Sequence, residues 1–336
     1  MSEKEIDLSK PNTPAPVAPE GHEAAEAPST ENMFSRRERK LSQKLGADVS
    51  SRQLVDIVVQ MSREELLPFE EITLPSLGQY YESKIPGGKI QVRPMGIMED
   101  KAFATARLAQ TGQALDRVFK NCIKFPTEFD PLDLINGDRV FLIFILRGIT
   151  HGNLYEFVVR CPNESCRQES THIYDMNQLG RTIRHPQYPE EPIKVRLPYM
   201  SNYLEREFYV KVRYLRGRDN KTIEEYRRFQ SKLVSKRPNY KDVDAKETLI
   251  PLDESIEKNL DLVISDINGE TDRNKIKAVI SKLSSTDTST IRRFLADTMP
   301  GLDTKIEITC PQCETIMDID LPITESFFRP KDSGGM

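Results

Sequence analysis

The sequence predicts an α+β fold in which two internally duplicated α/β halves are joined by a pair of cysteine knuckles and follow a disordered N-terminal tail. Three observations lead to this prediction. The same features occur twice in the same order, each series ends in a pair of cysteines, and residues 1–32 are rich in proline and acidic side chains. A series of features that repeats along one chain is the sequence signature of a duplicated architecture.

Composition indicates a globular protein with a large hydrated surface. The 336 residues are 38% hydrophobic and 30% charged, the net charge is -4, and the mean hydropathy is -0.53. The longest apolar run, residues 140–146, is too short for a membrane span. The first residues lack the pattern of a secretion signal, which favours a reducing compartment. The acidic balance argues against a surface built wholly to hold nucleic acid.

Residues 1–50 are expected to form a disordered tail and a basic linker. Residues 1–32 contain five prolines and seven Asp or Glu with almost no large apolar side chain, so burial could not offset the entropy of ordering them. The basic stretch Ser35–Lys40 either begins a solvated helix or docks on an acidic partner. Residues 51–69 follow, where an amphipathic pattern over 51–61 predicts a short helix that could bind a partner.

The first half, 70–182, and the second half, 190–325, open alike. Leu74–Lys84 and Leu197–Glu207 each begin Leu-Pro, place Tyr six positions after the leucine and place Glu two positions after that. A strand pattern follows in each half, and each half closes with a strand that runs into cysteine. Helices are predicted in matching order at 98–103, 114–123 and 138–146, and at 219–225, 259–267 and 287–295. The irregular insertion 235–255 is predicted to be a loop.

A basic flank, residues 205–241, holds twelve Lys or Arg against five Asp or Glu and contains several aromatic residues. Basic residues interleaved with aromatics can bind nucleic acid. The alternation of Phe208, Val210 and Val212 with polar or amphipathic residues is also what a half-buried strand shows. The structural interpretation of this flank is favoured, with a nucleic-acid surface as the alternative.

Two cysteine pairs, Cys161-Pro-Asn-Glu-Ser-Cys166 and Cys310-Pro-Gln-Cys313, are the sharpest chemical signal. Zinc prefers four soft or borderline ligands in a tetrahedron, and two thiolates from one tight turn supply half of them. Each pair lies between two strand patterns, so each half contributes one knuckle of a zinc-ribbon-like site. We therefore expect one structural zinc per chain, bound by all four thiolates.

Other interpretations of the cysteines are less favourable. A redox pair usually opens a helix, whereas Cys310 ends a strand pattern. Disulfides across such short loops would be strained. A catalytic zinc would leave a coordination position open, which four cysteines would close. Cys122 is expected to be a buried core thiol, and His172 is a weaker candidate ligand.

The sequence contains no nucleotide-binding, hydrolase or zinc-protease motif, so no enzyme activity and no small-molecule substrate are expected. Several longer motifs are recognisable instead. They are the opening Leu74-Pro-Ser-Leu-Gly-x-Tyr-Tyr81, the step Val92-Arg-Pro-Met-x-x-x-Glu-Asp-Lys101, the helix Gly137-Asp-Arg-x-x-Leu-x-x-x-Leu-Arg147 and the ending Glu325-Ser-Phe-Phe-Arg-Pro330.

Together with the cysteine pairs, these motifs resemble the baseplate hub proteins of contractile-tailed bacteriophages, the family typified by phage T4 baseplate proteins. The resemblance covers roughly residues 70–330. It implies a structural or assembly role in the tail baseplate, with other baseplate and tail subunits as partners. It also implies late synthesis in the host cytoplasm and a place in the virion. It brings no catalytic residues with it.

Two functions from different classes therefore remain. The first is a structural component that works through protein contacts, with zinc joining its halves. The alternative is a zinc-ribbon nucleic-acid-binding protein that uses the basic flank. For the first function, the expected contact surfaces are residues 51–67, Tyr80 with Tyr81, Tyr203, and Phe327 with Phe328. The two phenylalanines are expected either in the protein's own core or against a neighbouring subunit.

Overall fold

A computed structural model describes residues 51–105, 112–235 and 255–330, and these ranges have the α+β composition that the sequence predicts. All strand pairs in them are antiparallel, in sheets of two or three strands. The predictions for residues 1–50 and most of the loop 235–255 fall outside the described residues. No helix in the described part of the chain is long and apolar enough to cross a bilayer.

The first half, with the segment before it, combines short sheets with five helices in its described part. The helices are α1 (Ser51–Gln60), α2 (Arg63–Leu66), α3 (Ile97–Ala104), α4 (Gln113–Cys122) and α5 (Asn136–His151). The strands are β1 (Glu70–Thr73), β2 (Lys89–Val92), β3 (Ile123–Lys124), β4 (Leu154–Arg160), β5 (Glu169–Asp175) and β6 (Ile183–Arg184). Strand β2 is the centre of the sheet β1-β2-β3, and β4 pairs with β5.

The second half has the same plan. Its helices are α6 (Pro198–Tyr203), α7 (Gly217–Ser235), α8 (Ser255–Val263), α9 (Arg273–Ile280), α10 (Ser285–Thr298) and α11 (Glu325–Phe328). Its strands are β7 (Ile193–Arg196), β8 (Tyr209–Val212), β9 (Ile264–Ile267), β10 (Gly301–Leu302), β11 (Lys305–Thr309) and β12 (Ile316–Asp320). Strand β8 is the centre of the sheet β7-β8-β9, β11 pairs with β12, and β10 pairs with β6.

The halves share specific contacts as well as element order. At the end of β2, the Arg93 amide donates to the carbonyl that ends α4, and the Arg213 amide after β8 donates to the carbonyl that ends α8. Each arginine then pairs with a carboxylate six residues later, Arg93 with Glu99 and Arg213 with Asp219. Because each carboxylate lies in the first turn of a helix, the pair fixes the angle between strand and helix.

A second shared contact involves a buried carboxylate in the first turn of a long helix. In the first half, Asp138 of α5 accepts a hydrogen bond from the amide of Ser76, directly after the Leu-Pro opening. In the second half, Asp287 of α10 accepts one from the amide of Tyr199, at the matching position. Both carboxylates are fully buried. We propose an internal duplication on the strength of these contacts, with 70–182 and 190–325 as its expected limits.

The two halves form one continuous apolar core. Helix α5 touches β10 directly, since a side-chain carbon built on Gly137 would lie 1.6 Å from the carbonyl oxygen of Pro300. Glycine is therefore required where these two backbones meet. The pairing of β6 with β10 adds a further connection, because β6 follows directly after the first half and β10 belongs to the second.

Helix α11, near the end of the second half, packs on the first half. Phe327 is 0% exposed and lies with ring centroids 5.1 Å from Phe144 and 4.9 Å from Tyr155. Phe328 stacks on Phe103 at 4.3 Å. Of the two expectations for this pair, burial in the protein's own core is therefore the one found.

Several sequence predictions need correction. Tyr80 and Tyr81 are buried and cannot form a contact surface with another subunit. Tyr80 packs against Tyr214, and the Tyr81 hydroxyl donates a hydrogen bond to Asp138. The helix predicted over 259–267 ends at Val263, and Ile264–Ile267 form strand β9, since their backbone pairs with β8. The amphipathic helix predicted near residue 51 is confirmed as α1, and Tyr203 is exposed as expected.

Candidate metal centre

Two hairpins bring the four predicted cysteines together. The first is β4 and β5, with Cys161 and Cys166 in its connection, and the second is β11 and β12, with Cys310 and Cys313. Strand registers from Leu154↔Asp175 to Arg160↔Glu169 and from Lys305↔Asp320 to Thr309↔Ile316 hold the hairpins rigid up to the cysteines. The strand, knuckle, strand order predicted from the sequence is confirmed in both halves.

Both connections fold into similar tight turns. The amide of Cys161 donates to the carbonyl of Gln168 at 2.9 Å, and the amide of Cys310 donates to the carbonyl of Thr315 at 2.9 Å. The residue after the second cysteine of each pair, Arg167 or Glu314, has positive φ, at 47° and 57°. Both knuckles therefore use the same left-handed backbone conformation directly after the second thiol.

The four sulfur atoms lie within 4.8 Å of one another. Two of these distances cross between the hairpins, with Cys161 Sγ 3.6 Å from Cys313 Sγ and Cys166 Sγ 3.9 Å from Cys310 Sγ. Thiolates at about 2.3 Å from a tetrahedral metal ion would be about 3.8 Å apart. The cluster therefore has the donor set and the size to hold one metal ion.

The cluster has an apolar floor and a half-open mouth. Cys161 and Cys310 are buried, and Cys166 and Cys313 are half-buried. Met317, 4% exposed, packs against the buried pair, with partly buried side chains around it: Val159, Ile308 and Ile319. Because Val159, Ile308 and Ile319 also pack against the main core, only Cys161, Cys310 and Met317 form the buried part of this cluster, and the hairpin tips have little apolar packing of their own.

The surroundings of Cys313 and Cys161 shift the pKa values of these two thiols in opposite directions. The hydroxyl and the amide of Thr315 hold the pKa of Cys313 down to about 6, whereas burial raises the pKa of Cys161 to about 12. Asn163 contacts Cys313 Sγ with its amide nitrogen at 3.9 Å and reaches Thr315 Oγ1 at 3.3 Å. The cysteine spacing does not predict that Asn163 and Thr315 contact the thiols. Their sequence signal is limited to their position in or directly after a cysteine pair.

The other two candidates are not in the cluster. His172 lies on β5, where it bonds the Ser170 hydroxyl at 2.8 Å and stacks on Phe157. Cys122 is 0% exposed in the main core, as predicted, and burial raises its pKa to about 12. Four thiolates would fill a tetrahedral shell and leave no position for a substrate.

Comparison with known proteins places the chain in one family. No curated protein sequence and no solved structure matches the chain. Residues 78–329, three quarters of the chain, match the family described as T4 bacteriophage base plate protein. The matched range contains both three-helix series and all four clustered cysteines, and it agrees with the resemblance seen in the sequence. The chain therefore belongs to the T4 bacteriophage base plate protein family.

Proposed function

We propose that the chain is a structural or assembly component of a phage tail baseplate, at its hub, and that it works through protein contacts rather than catalysis. The family match over residues 78–329 is the observation that supports the role. Its partners are other baseplate and tail subunits, which it meets in the host cytoplasm during assembly and stays with in the tail of the virion.

The second part of the proposal is one structural zinc per chain, held by Cys161, Cys166, Cys310 and Cys313. Zinc suits four thiolates in a tetrahedron, and the two sulfur spacings across the hairpins agree with that geometry. A closed shell of this kind contributes folding energy and performs no chemistry on a substrate.

The zinc would act as a staple between the halves. Cys161 and Cys313 are 152 residues apart in sequence, so one ion bridges distant parts of the chain. The hairpin tips have only a small apolar cluster between them. Thus the metal would supply most of the stabilisation at this end of the molecule.

The nucleic-acid alternative finds less support in the basic flank. Arg213 and Arg216 pair with Asp219 and Glu191. Further cations of the flank are also paired: Lys211 with Asp266, Arg218 with Asp130 and Asp133, Lys221 with Asp116, and Arg228 with Glu224. Acidic partners thus neutralise many of the cations that phosphates would need. Retention on a nucleic-acid column that falls steeply with salt would favour this alternative instead.

Affinity capture of the tagged full chain from phage-infected cells tests the proposed role. We expect tail and baseplate proteins to co-purify and to remain bound when nuclease and salt are added. Capture of nucleic acid alone, lost on nuclease treatment, would contradict the proposal. The matched control is the same capture from uninfected cells, which contain the host proteins but no tail subunits.

A further inference from the structure

The two halves meet through different surfaces: a turn of the first half contacts a strand–helix corner of the second. The first half presents its Tyr80 turn and the start of α5, and the second half receives them at the corner between β8 and α7. Tyr80 packs edge-on against Tyr214 at 5.3 Å between centroids, and Arg216 donates to the Tyr80 carbonyl oxygen at 3.2 Å. Beside them, Asn136 and Asn220 exchange two hydrogen bonds.

The two remaining surfaces, the turn of the second half and the corner of the first half, are exposed to solvent. Tyr203 follows its Leu-Pro opening at the same distance as Tyr80, yet it is 73% exposed, beside the exposed Tyr199 and Leu204. We name these three residues the open turn. At the corner between β2 and α3, which matches the corner between β8 and α7, Ile97 is 69% exposed and Met98 is 55% exposed. We name these two residues the open corner.

The ion pair between the halves also has counterparts on the exposed turn and corner sides. Between the halves, Lys221 of α7 pairs with Asp116 of α4 at 2.8 Å. The matching residues are Lys101, eight positions after the paired arginine of the first half, and Glu257, six positions before the end of α8. Both are exposed, and neither forms an ion pair within the described ranges. The exposed surfaces therefore carry one basic and one acidic residue at the positions of the Lys221–Asp116 pair, but these two residues are not paired with each other within one chain.

We propose that the chain binds a second copy of itself head to tail, with the open turn of one copy on the open corner of the next. Glu257 of the first copy then pairs with Lys101 of the second. The contact repeats between molecules what Tyr80, Asp116 and Lys221 do within one. It is independent of the zinc, because no cysteine lies at either surface.

The open corner stays accessible beside its own neighbours. Helix α2 contacts this corner through Arg63, which pairs with Glu99 at 2.7 Å, while Leu67 approaches Gly96. Ile97 and Met98 remain exposed next to them. A contact that joins two different surfaces is heterologous, so it generates a ring or a filament according to the rotation between copies.

Sedimentation velocity of the full chain over a range of concentrations tests the proposal. We expect concentration-dependent self-association that Tyr203→Ser, at the turn, and Met98→Glu, at the corner, each abolish. A mixture of the two variants should form a dimer and nothing larger, since each still carries the surface that the other lacks. The control Ile173→Ser removes a comparably exposed apolar side chain from β5 and should leave association unchanged.

Charge reversal supplies an independent measurement. Lys101→Glu and Glu257→Lys should each weaken association about tenfold, and the double variant should restore it. A wild-type chain that stays monomeric at every concentration would overturn the proposal. So would association that Tyr203→Ser abolishes and Met98→Glu leaves intact, because two turns would then be meeting each other.

Discussion

Asp138 shows how one side chain organises the start of a half. Its carboxylate accepts hydrogen bonds from the Ser76 amide at 3.1 Å, from the Ser76 hydroxyl at 2.5 Å and from the Tyr81 hydroxyl at 2.5 Å. Tyr81 in turn accepts from the amide of Ile135. Despite these donors, burial raises the pKa of Asp138 to about 6.

This shift predicts a dependence of stability on pH. Because the folded carboxyl binds its proton more tightly than the unfolded one, its stabilisation is full below about pH 4 and is lost as pH rises through about 6. The change is about 3 kcal/mol. The free energy of unfolding of the wild type minus that of Asp138→Asn should grow as pH falls from 7 to 5. A difference that stays constant with pH would contradict the assignment.

The metal proposal makes a prediction for single cysteines. Purified, metal-replete protein should contain close to one equivalent of zinc by elemental analysis, and Cys313→Ser should lose most of it, because three thiolates bind less tightly. Cys122→Ala is the matched control: it removes a thiol from the core and should keep the metal. A wild-type value near zero with four free thiols would reject the site.

The sequence predicts some side chains of this site and not others. Cys161 and Cys310 are predictable because ligand spacing within a turn is local and chemically specific. The role of Asn163 depends on a contact with Cys313, 150 residues away, which no local pattern encodes. Thr315 acts on Cys313 from two residues away, but ligand spacing alone does not single out that position. The burial of Tyr80 has the same cause: the surface that covers it belongs to the other half.

Among the secondary-structure elements, α11 is short and yet energetically important. Phe327→Ala should cost about 3–5 kcal/mol, because it leaves a cavity between Phe144 and Tyr155. The measurement is the free energy of unfolding in urea. Ile173→Ala, at a side chain 69% exposed, should change it by less than about 0.5 kcal/mol. Equal effects of the two substitutions would show that α11 does not belong to the core.

Long helices are predictable from sequence, while short strands are not. The helix predicted over 138–146 is found within α5, although the apolar run 140–146 alone would also suit a buried strand. Residues 259–267 mix an amphipathic helix with a strand that continues the apolar run, and the pairing of β9 with β8 decides where one ends. Strands β3, β6 and β10 have two residues each, so they exist only through their partners.

For the molecule as a whole, removal of the metal by a chelator should destabilise the two cysteine hairpins and leave the three-stranded sheets stable. Removing zinc should increase hydrogen exchange in β4, β5, β11 and β12, since a small apolar cluster and the hydrogen bond from Asn163 to Thr315 would then hold the tips together. The sheets β1-β2-β3 and β7-β8-β9 should keep their protection. Global loss of protection, or none at all, would contradict the staple.

The repeated order of elements is predictable, because each half encodes it in local patterns. The way the halves meet is not, since Tyr80 and Tyr203 occupy matching positions while one is buried and the other is exposed. Such asymmetry arises from the three-dimensional contact between the two halves. It leaves no trace in the local sequence of either half.

The packing of α11 has a consequence for how the protein is made. Domains near the start of a chain usually fold first, while the ribosome is still adding residues. Here Phe327 and Phe328 complete the core around Phe103, Phe144 and Tyr155. The core of the first half is therefore incomplete until residues 327 and 328 have been translated, and a product truncated before them would expose these rings to aggregation.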